Sequence, residues 1–426
     1  MSTPTRRQLE KNFRRVLALA FFQVFLVLMP IIVLFFESRG LTLPEIFLLQ
    51  AWFAAVVLVM EAPSGYLADL LGRKRVIVTG TFFLGVGQSV LLFAEGFWQL
   101  ALFESCLGLG LSLMSGADLA LLYDTELALK GHAHGSRKAV RRLFTTRDVS
   151  EALAAATCSV LLIWSMETAV YVQVASGWMA FLLAFGLVEP PGNRMSRDSH
   201  IGNIGTVLRH LLMNGAVLRL TFLAMSVWAL TTMFAVWLLQ KHWQQLGIGI
   251  VHYGYLWAAL TFVSAAAGRY ALSLENRFGS TAMLVIVGIG PVLGYLALGT
   301  LGAVGGVLVS VVFFACRGFG HVVLSDALNK RVPSEFRATA NSFASLGFRA
   351  AFALTAPLVA AALNLWGMET TFLVLGGMSL VIFGTLVVPL IGAARRAQDI
   401  GDQAAETWDQ SVSSQTTRRA HVTRDG

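Results

Sequence analysis

Seven ionisable side chains fall inside long apolar runs: Glu61, Glu104, Asp118, Arg147, Glu151, Arg317 and His321. A charge held away from water costs on the order of 3 kcal/mol or more. Such groups therefore pair, line a watered path or carry protons. At a rise of about 1.5 Å per helical residue, Glu61 lies about 10 Å inside one membrane face, and Asp118 and Arg147 about 8 Å inside the same face. Asp118 with Arg147 is the candidate buried charge pair, and Glu61 with Arg147 is an alternative at nearly the same depth. Glu104 and Glu151 have no cation at their own depth, and an acid without one is suited to loading and releasing a proton. With Glu61 as their rival, they form the candidate proton-linked set. Arg317 and His321, four residues apart, share one side of a helix. They could bind an anionic solute group or meet an acid from elsewhere in the chain. Arg349 is placed to balance Asp326. Gln23, Trp228, Thr231, Thr232 and Trp237 complete the candidate cavity lining.

Helices must hold these groups, and the composition says where. Of the 426 residues, 56% are hydrophobic and 13% charged, against about a quarter charged in soluble domains. A surface so poor in charge faces lipid. The net charge of +8 then reads as Lys and Arg on one membrane side rather than as a nucleic-acid footprint. Allowing about 20 residues per crossing gives twelve spans, from 13–36 to 369–390, with span four at 98–123 and span seven at 216–240. The expected architecture is an all-α polytopic membrane protein. The loops after the even-numbered spans hold fifteen Lys and Arg residues, Arg73, Lys74 and Arg75 among them, whereas the opposite loops hold Arg39 and Lys241. The positive-inside rule makes both termini cytoplasmic. The N-terminal run is too long for a cleavable signal and begins the first span.

The expected organisation is a six-helix bundle over 1–188, a cytoplasmic linker with an amphipathic surface helix over 189–215, a second six-helix bundle over 216–392 and a disordered tail over 393–426. Cys106, Cys158 and Cys316 lie in apolar runs without metal or redox spacing. His132 and His134 flank one alanine in a Gly-rich loop; two histidines do not make a metal site. No Walker loop, serine-nucleophile motif or metalloprotease motif is present, so ATP-driven transport, enzyme activity and a bound cofactor have no support.

The most informative stretch joins spans two and three. After the Pro63-Ser64-Gly65 break, Gly65-Tyr-Leu-Ala-Asp69-Leu-Leu-Gly72-Arg73-Lys74-Arg75 resembles the signature loop of the major facilitator superfamily. Asn276-Arg-Phe-Gly279 repeats its spacing after span eight without its charges. The resemblance implies two pseudo-symmetric six-helix halves around a central cavity and transport by alternating access. It also implies a gating latch of Gly65, Asp69, Gly72, Arg73 and Lys74, with Asp69 at the N-terminus of helix eleven and Arg73 paired with Asp124. Glu61-Ala-Pro63-Ser-Gly65 and Ser115-Gly116-Ala117-Asp118 resemble a bacterial branch of the superfamily, placed in the cytoplasmic membrane. Two departures stand out: Glu104 occupies the position of an arginine associated with proton coupling, and span five lacks a Gly-Pro motif common in drug antiporters.

The expected function is secondary active transport of a small solute, proton-coupled, by a monomer, with efflux of amphipathic organic compounds as the leading direction. Uptake of a nutrient, iron complex or metal ion is the transporter alternative. A non-transporting receptor or scaffold on the same fold is the alternative of another class.

Overall fold

In lipid every backbone polar group must be satisfied within the protein, which leaves long apolar segments little choice but helix. The structure, a computed structural model, describes residues 5–130, 136–190, 198–300, 306–333 and 336–396. These contain fifteen α-helices and no strand. In order they are α1 (Arg6–Gln23), α2 (Ile32–Ser38), α3 (Leu43–Leu71), α4 (Arg73–Val90), α5 (Phe97–Met114), α6 (Ala117–Lys130), α7 (Ser136–Leu161) and α8 (Met166–Phe185), then α9 (Asp198–Met213), α10 (Ala216–Val227), α11 (Leu230–Gln245), α12 (Tyr253–Phe278), α13 (Ser280–Thr300), α14 (Gly306–Arg331) and α15 (Arg337–Ile382). Among the described residues, eight helical stretches are long and apolar enough to cross a membrane. One of them, Thr339–Arg396, takes in two of the twelve expected spans. The three remaining expected spans fall on α1 with α2, on α4 and on α7, helices that are shorter or richer in charge.

Departures from straight helices have local causes. Pro30 opens a short 3-10 turn at Met29–Ile31, so the first expected span is split into α1 and α2. Ser115 (ψ 119°) and Gly116 (φ +76°) leave helical geometry and split span four into α5 and α6. The expected break at Pro63 is absent: α3 continues through it to Leu71, and the Ser64 hydroxyl donates to the Glu61 carbonyl at 2.8 Å. The chain turns instead at Gly72, whose φ of +92° and ψ of 148° are open to glycine and strained for other residues. Gly279 turns α12 into α13 with nearly the same angles, φ +85° and ψ 153°. The spacing repeat seen in the sequence is thus also a backbone repeat.

The linker helix α9 is amphipathic, and part of its apolar face packs on the C-terminal helices. Val207 and Leu211 are fully buried in a cluster with Leu218, Phe222, Leu328 and Ala344, so α9 is seated on α10, α14 and α15. Residues 397–426, which hold most of the expected tail, and His132 and His134 lie outside the described residues.

The core is distributed unevenly. One large cluster joins N-terminal helices to C-terminal helices through Phe47, Phe234 and Phe352, at the end of the bundle away from Arg73–Arg75. Toward the basic end, the clusters hold either N-terminal residues, such as Leu84 and Leu121, or C-terminal ones, such as Trp228 and Leu324. Among the described residues, the apolar cluster that fastens the two sets of helices together lies at that one end.

Candidate functional site

Between the two sets of helices lies a cavity of about 230 Å³. Its lining is mostly apolar, with polar groups from Gln50, Gln88, Glu104, Gln173, Trp237 and Arg349. Glu104 is carried by α5 on its buried face and is 3% exposed. Gln50 of α3 donates to its Oε1 at 2.7 Å, and among the described residues no cation pairs with it. Gln173 accepts from the Leu28 amide at 3.3 Å, which closes the break between α1 and α2. Three lining atoms have no hydrogen-bond partner among the described residues: Gln88 Oε1, Trp237 Nε1 and Arg349 Nε. Buried polar atoms are normally satisfied, so the cavity offers one acceptor and two donors to an occupant.

Toward the basic end the charges form three sets. Asp118, 2% exposed, hydrogen-bonds Arg147 Nη2 through Oδ2, while its Oδ1 accepts from the Leu119 amide at 2.7 Å. Glu61 does not join them. Its Oε1 accepts from the Ser115 hydroxyl at 3.4 Å, its Oε2 accepts no hydrogen bond among the described residues, and Arg349 of α15 is a nearby cation without ion-pair contact. Arg147 is committed to Asp118, while α3 packs on α15, which carries Arg349. Arg349 does not balance Asp326, which pairs with Lys330 one turn later on α14 at 2.6 Å. Glu151 of α7 is solvent-accessible and acts on Arg317 of α14. Arg317 also reaches Met233 Sδ, a cavity-lining atom, at 3.8 Å. Its guanidinium thus faces the interior space, and His321 is one turn further on. Neither Glu61–Arg349 nor Glu151–Arg317 is in ion-pair contact, but each sets an acid of an N-terminal helix near an arginine of a C-terminal one.

Four of the five uncharged expected lining residues, Trp228, Gln23, Thr231 and Thr232, are placed elsewhere; the Thr231 hydroxyl donates to the Trp228 carbonyl at 2.8 Å. Trp228 donates to the Val287 carbonyl at 3.1 Å and stacks on Gly320, where a methyl group would collide with its ring. It is a packing residue between α13 and α14. Gln23 donates to Met114 Sδ at 3.1 Å, and Thr232 to the Ala229 carbonyl at 3.2 Å. Their polar atoms serve the helices themselves. Gln50, Gln88 and Gln173 were not singled out from the sequence; the signal available was a glutamine repeatedly embedded in an apolar span.

The α3–α4 turn is built from several directions. Arg73 Nη1 hydrogen-bonds Asp124 and donates to the Ala120 carbonyl at 2.7 Å, tying α4 to α6. The Arg73 and Lys74 amides donate to the two oxygens of Glu189 at 3.0 and 2.8 Å. Glu189 thus places a negative charge on the α4 N-terminus, where free amides and the helix dipole favour it. Asn12 holds the adjacent Val188 through both its amide and its carbonyl, at 2.9 and 3.0 Å. Gly65 is exposed. The Asp69 side chain lies outside the described residues, although its backbone is part of α3.

At the opposite end, Lys241 bonds Glu37 at 2.8 Å. Beside them, Gln240 accepts from the Val33 amide at 3.0 Å and donates to the Met29 carbonyl at 3.1 Å. These bonds close α11 over the α1–α2 break. Among the described residues, no group of three or more His, Cys, Asp or Glu could hold a metal ion.

The fold is shared with solved transporters. The crystal structure of nucleoside transporter NupG superposes with a TM-score of 0.71 at 13% identity, covering 90% of this chain and 98% of that one. Peptide transporter POT in complex with sulfate gives 0.69 at 15% identity, covering 91% and 94%. The D-xylose-proton symporter gives 0.67 at 14%, covering 87% and 95%. No curated protein sequence matches the chain. The family model for the Major Facilitator Superfamily matches residues 16–331. A helical membrane protein with a cavity between two sets of helices, a charged glycine turn and that match is a transporter and not an enzyme: the chain belongs to the Major Facilitator Superfamily.

Proposed function

We propose that the protein is a proton-coupled transporter that exports small amphipathic organic solutes across the cytoplasmic membrane, working by alternating access between two six-helix bundles. The observation that carries this reading is the cavity: an apolar wall with one unpaired carboxyl, three amides and unsatisfied donors at Trp237 and Arg349. Apolar surface accommodates the body of such a solute, and the few polar groups orient it. Glu104 is the proton-carrying group in this reading, because its partner Gln50 is neutral and its carboxyl can exist in either form without stranding a cation. Glu61 and Glu151 each lie near an arginine of a C-terminal helix and act as coupling partners in this reading.

The positive-inside rule puts the basic end in the cytoplasm, so the core that joins both bundles lies outside and the arrangement is open inward. Arg73, Asp124 and Glu189 all belong to the N-terminal bundle or its end. They preset the α3–α4 turn, and Asp69 completes the latch by meeting the start of α15 when the cytoplasmic side closes. Asp69→Asn is expected to reduce transport about five- to thirty-fold at unchanged membrane insertion, as one lost interhelical charge contact is worth about 1–2 kcal/mol. Unaltered transport in vesicles would remove the latch from the mechanism.

The test of coupling uses proteoliposomes with an imposed pH gradient and a solute selected by thermal shift, since a ligand that binds the native state stabilises it. Glu104→Gln is expected to bind the solute and exchange it passively, while losing all response to the gradient. A variant that still concentrates solute on a pH jump refutes Glu104 as the proton carrier. Uptake is the second reading, favoured by the fold shared with a D-xylose-proton symporter; the sign of the gradient response separates the two.

A further inference from the structure

A second, larger cleft of about 640 Å³ lies at the basic end, outside the central cavity. It opens between the end of α9, the start of α10, the end of α14 and the start of α15. Its polar side chains are His210, Asn214, Lys330, Arg331 and Arg337, and no carboxylate is among its described lining residues. Lys330 is occupied by Asp326. Arg331 and Arg337 each give a nitrogen to a carbonyl of their own chain end, Ala327 at 2.7 Å and Val332 at 3.2 Å. Among the described residues neither guanidinium is in ion-pair contact with a carboxylate, although Glu275 of α12 lies close enough to Arg331 to interact with it. Two arginines without a contacting acid therefore share one concave space, an arrangement that an anion stabilises. Guanidinium groups match phosphate oxygens two at a time.

The surroundings say what kind of phosphate. The buried face of α9 is used up against α10 and α14, yet Met213, the residue before Asn214, is 72% exposed, and Leu208 is 37% exposed. Apolar surface thus continues from the edge of the charged cleft. The first turn of α10, Ala216 to Leu218, borders the same space. A ligand with a phosphate head and an apolar tail fits this combination, and basic pockets beside membrane helices favour such headgroups. We propose that this cleft binds the headgroup of an anionic phospholipid and thereby secures the α9 linker helix to the C-terminal helices.

The test titrates phosphatidylglycerol, phosphatidylcholine or inorganic phosphate into the detergent-purified full-length protein and follows Tm. Phosphatidylglycerol is expected to raise Tm by several degrees, and the double variant Arg331→Gln/Arg337→Gln to need at least about ten-fold more lipid for the same shift. Arg395→Gln/Arg396→Gln, at the same end but outside the cleft, is expected to respond like the unaltered protein. Should the cleft variant fail to fold, the unaltered protein decides: the shift must shrink at about 0.5 M NaCl, where charge attraction is screened within a few ångströms. An equal shift with phosphatidylcholine, or one indifferent to both salt and the cleft arginines, overturns the proposal. An equal shift with inorganic phosphate overturns the lipid assignment and leaves a site for free phosphate.

Discussion

Arg147→Ala is expected to destabilise the protein by about 3–5 kcal/mol, because it leaves the Asp118 carboxylate buried without its counter-charge. Asp118 is 2% exposed, and its remaining support is the Leu119 amide at 2.7 Å. The guanidinium also lies over the Phe144 ring at 5.8 Å, so the substitution removes packing as well as charge. Combining Asp118→Asn with Arg147→Gln should recover most of the loss, since neutral groups of similar shape leave nothing to desolvate. The measurement is Tm and fluorescence-detected size exclusion of the unaltered protein, Asp118→Asn, Arg147→Gln and their combination, with Arg147→Ala alongside. Additive losses, with the double variant worse than Arg147→Gln, would show that the two residues do not act as a pair. The cycle also separates stability from coupling: transport of the refolded double variant tells whether the pair matters beyond packing.

Gly254→Leu is expected to drive the helices apart at the end where they are now fastened. A methyl group on Gly254 of α12 would fall on the Ala155 carbonyl of α7 and within 2.6 Å of Ser159 Oγ. The Ser159 hydroxyl in turn accepts from the Tyr255 amide at 3.0 Å. Close approach of this kind depends on small residues, as in other membrane helix pairs. A leucine cannot be absorbed by rotamer changes, because the obstacle is backbone. The arrangement with this end closed should lose several kcal/mol relative to its alternative, enough to reverse a two-state population. Cysteine probes near Glu37 and Lys241 should label at least ten-fold faster in the variant if the end opens, with the estimate set by that population shift. Unchanged labelling in a folded Gly254→Leu protein would mean that α7 and α12 separate without cost, and that this crossing does not govern the conformational balance.

Much of the architecture was legible because the bilayer permits few alternatives. Apolar runs of span length had to be helices, and the Gly72 spacing identified the superfamily before any contact was known. The Asn276–Gly279 copy was readable as a weak echo, and it reappears as a turn of nearly equal angles. What misled was local punctuation. Pro63 suggested a break that α3 does not take, because a proline in a membrane helix costs one hydrogen bond that packing against neighbouring helices can offset. The amphipathic pattern of α9 was sound, but a pattern does not say whether its apolar face meets lipid or protein.

The partners of the buried charges divide in the same way. That Glu61, Glu104, Asp118, Arg147, Glu151, Arg317 and Arg349 needed a reason to be in apolar spans followed from desolvation alone. The sequence by itself determined the membrane class, the superfamily, the charged turn after Gly72 and the list of costly charges, because each depends on composition or short-range spacing. Only the tertiary structure decided that Glu61 comes near Arg349 and Glu151 near Arg317, that Glu104 sits with Gln50 in a cavity edged by Trp237, and that Trp228 is packing. Depth along one helix is fixed by counting residues, but the azimuth at which two helices meet is set by how all of them pack, and that is not a local property of the chain.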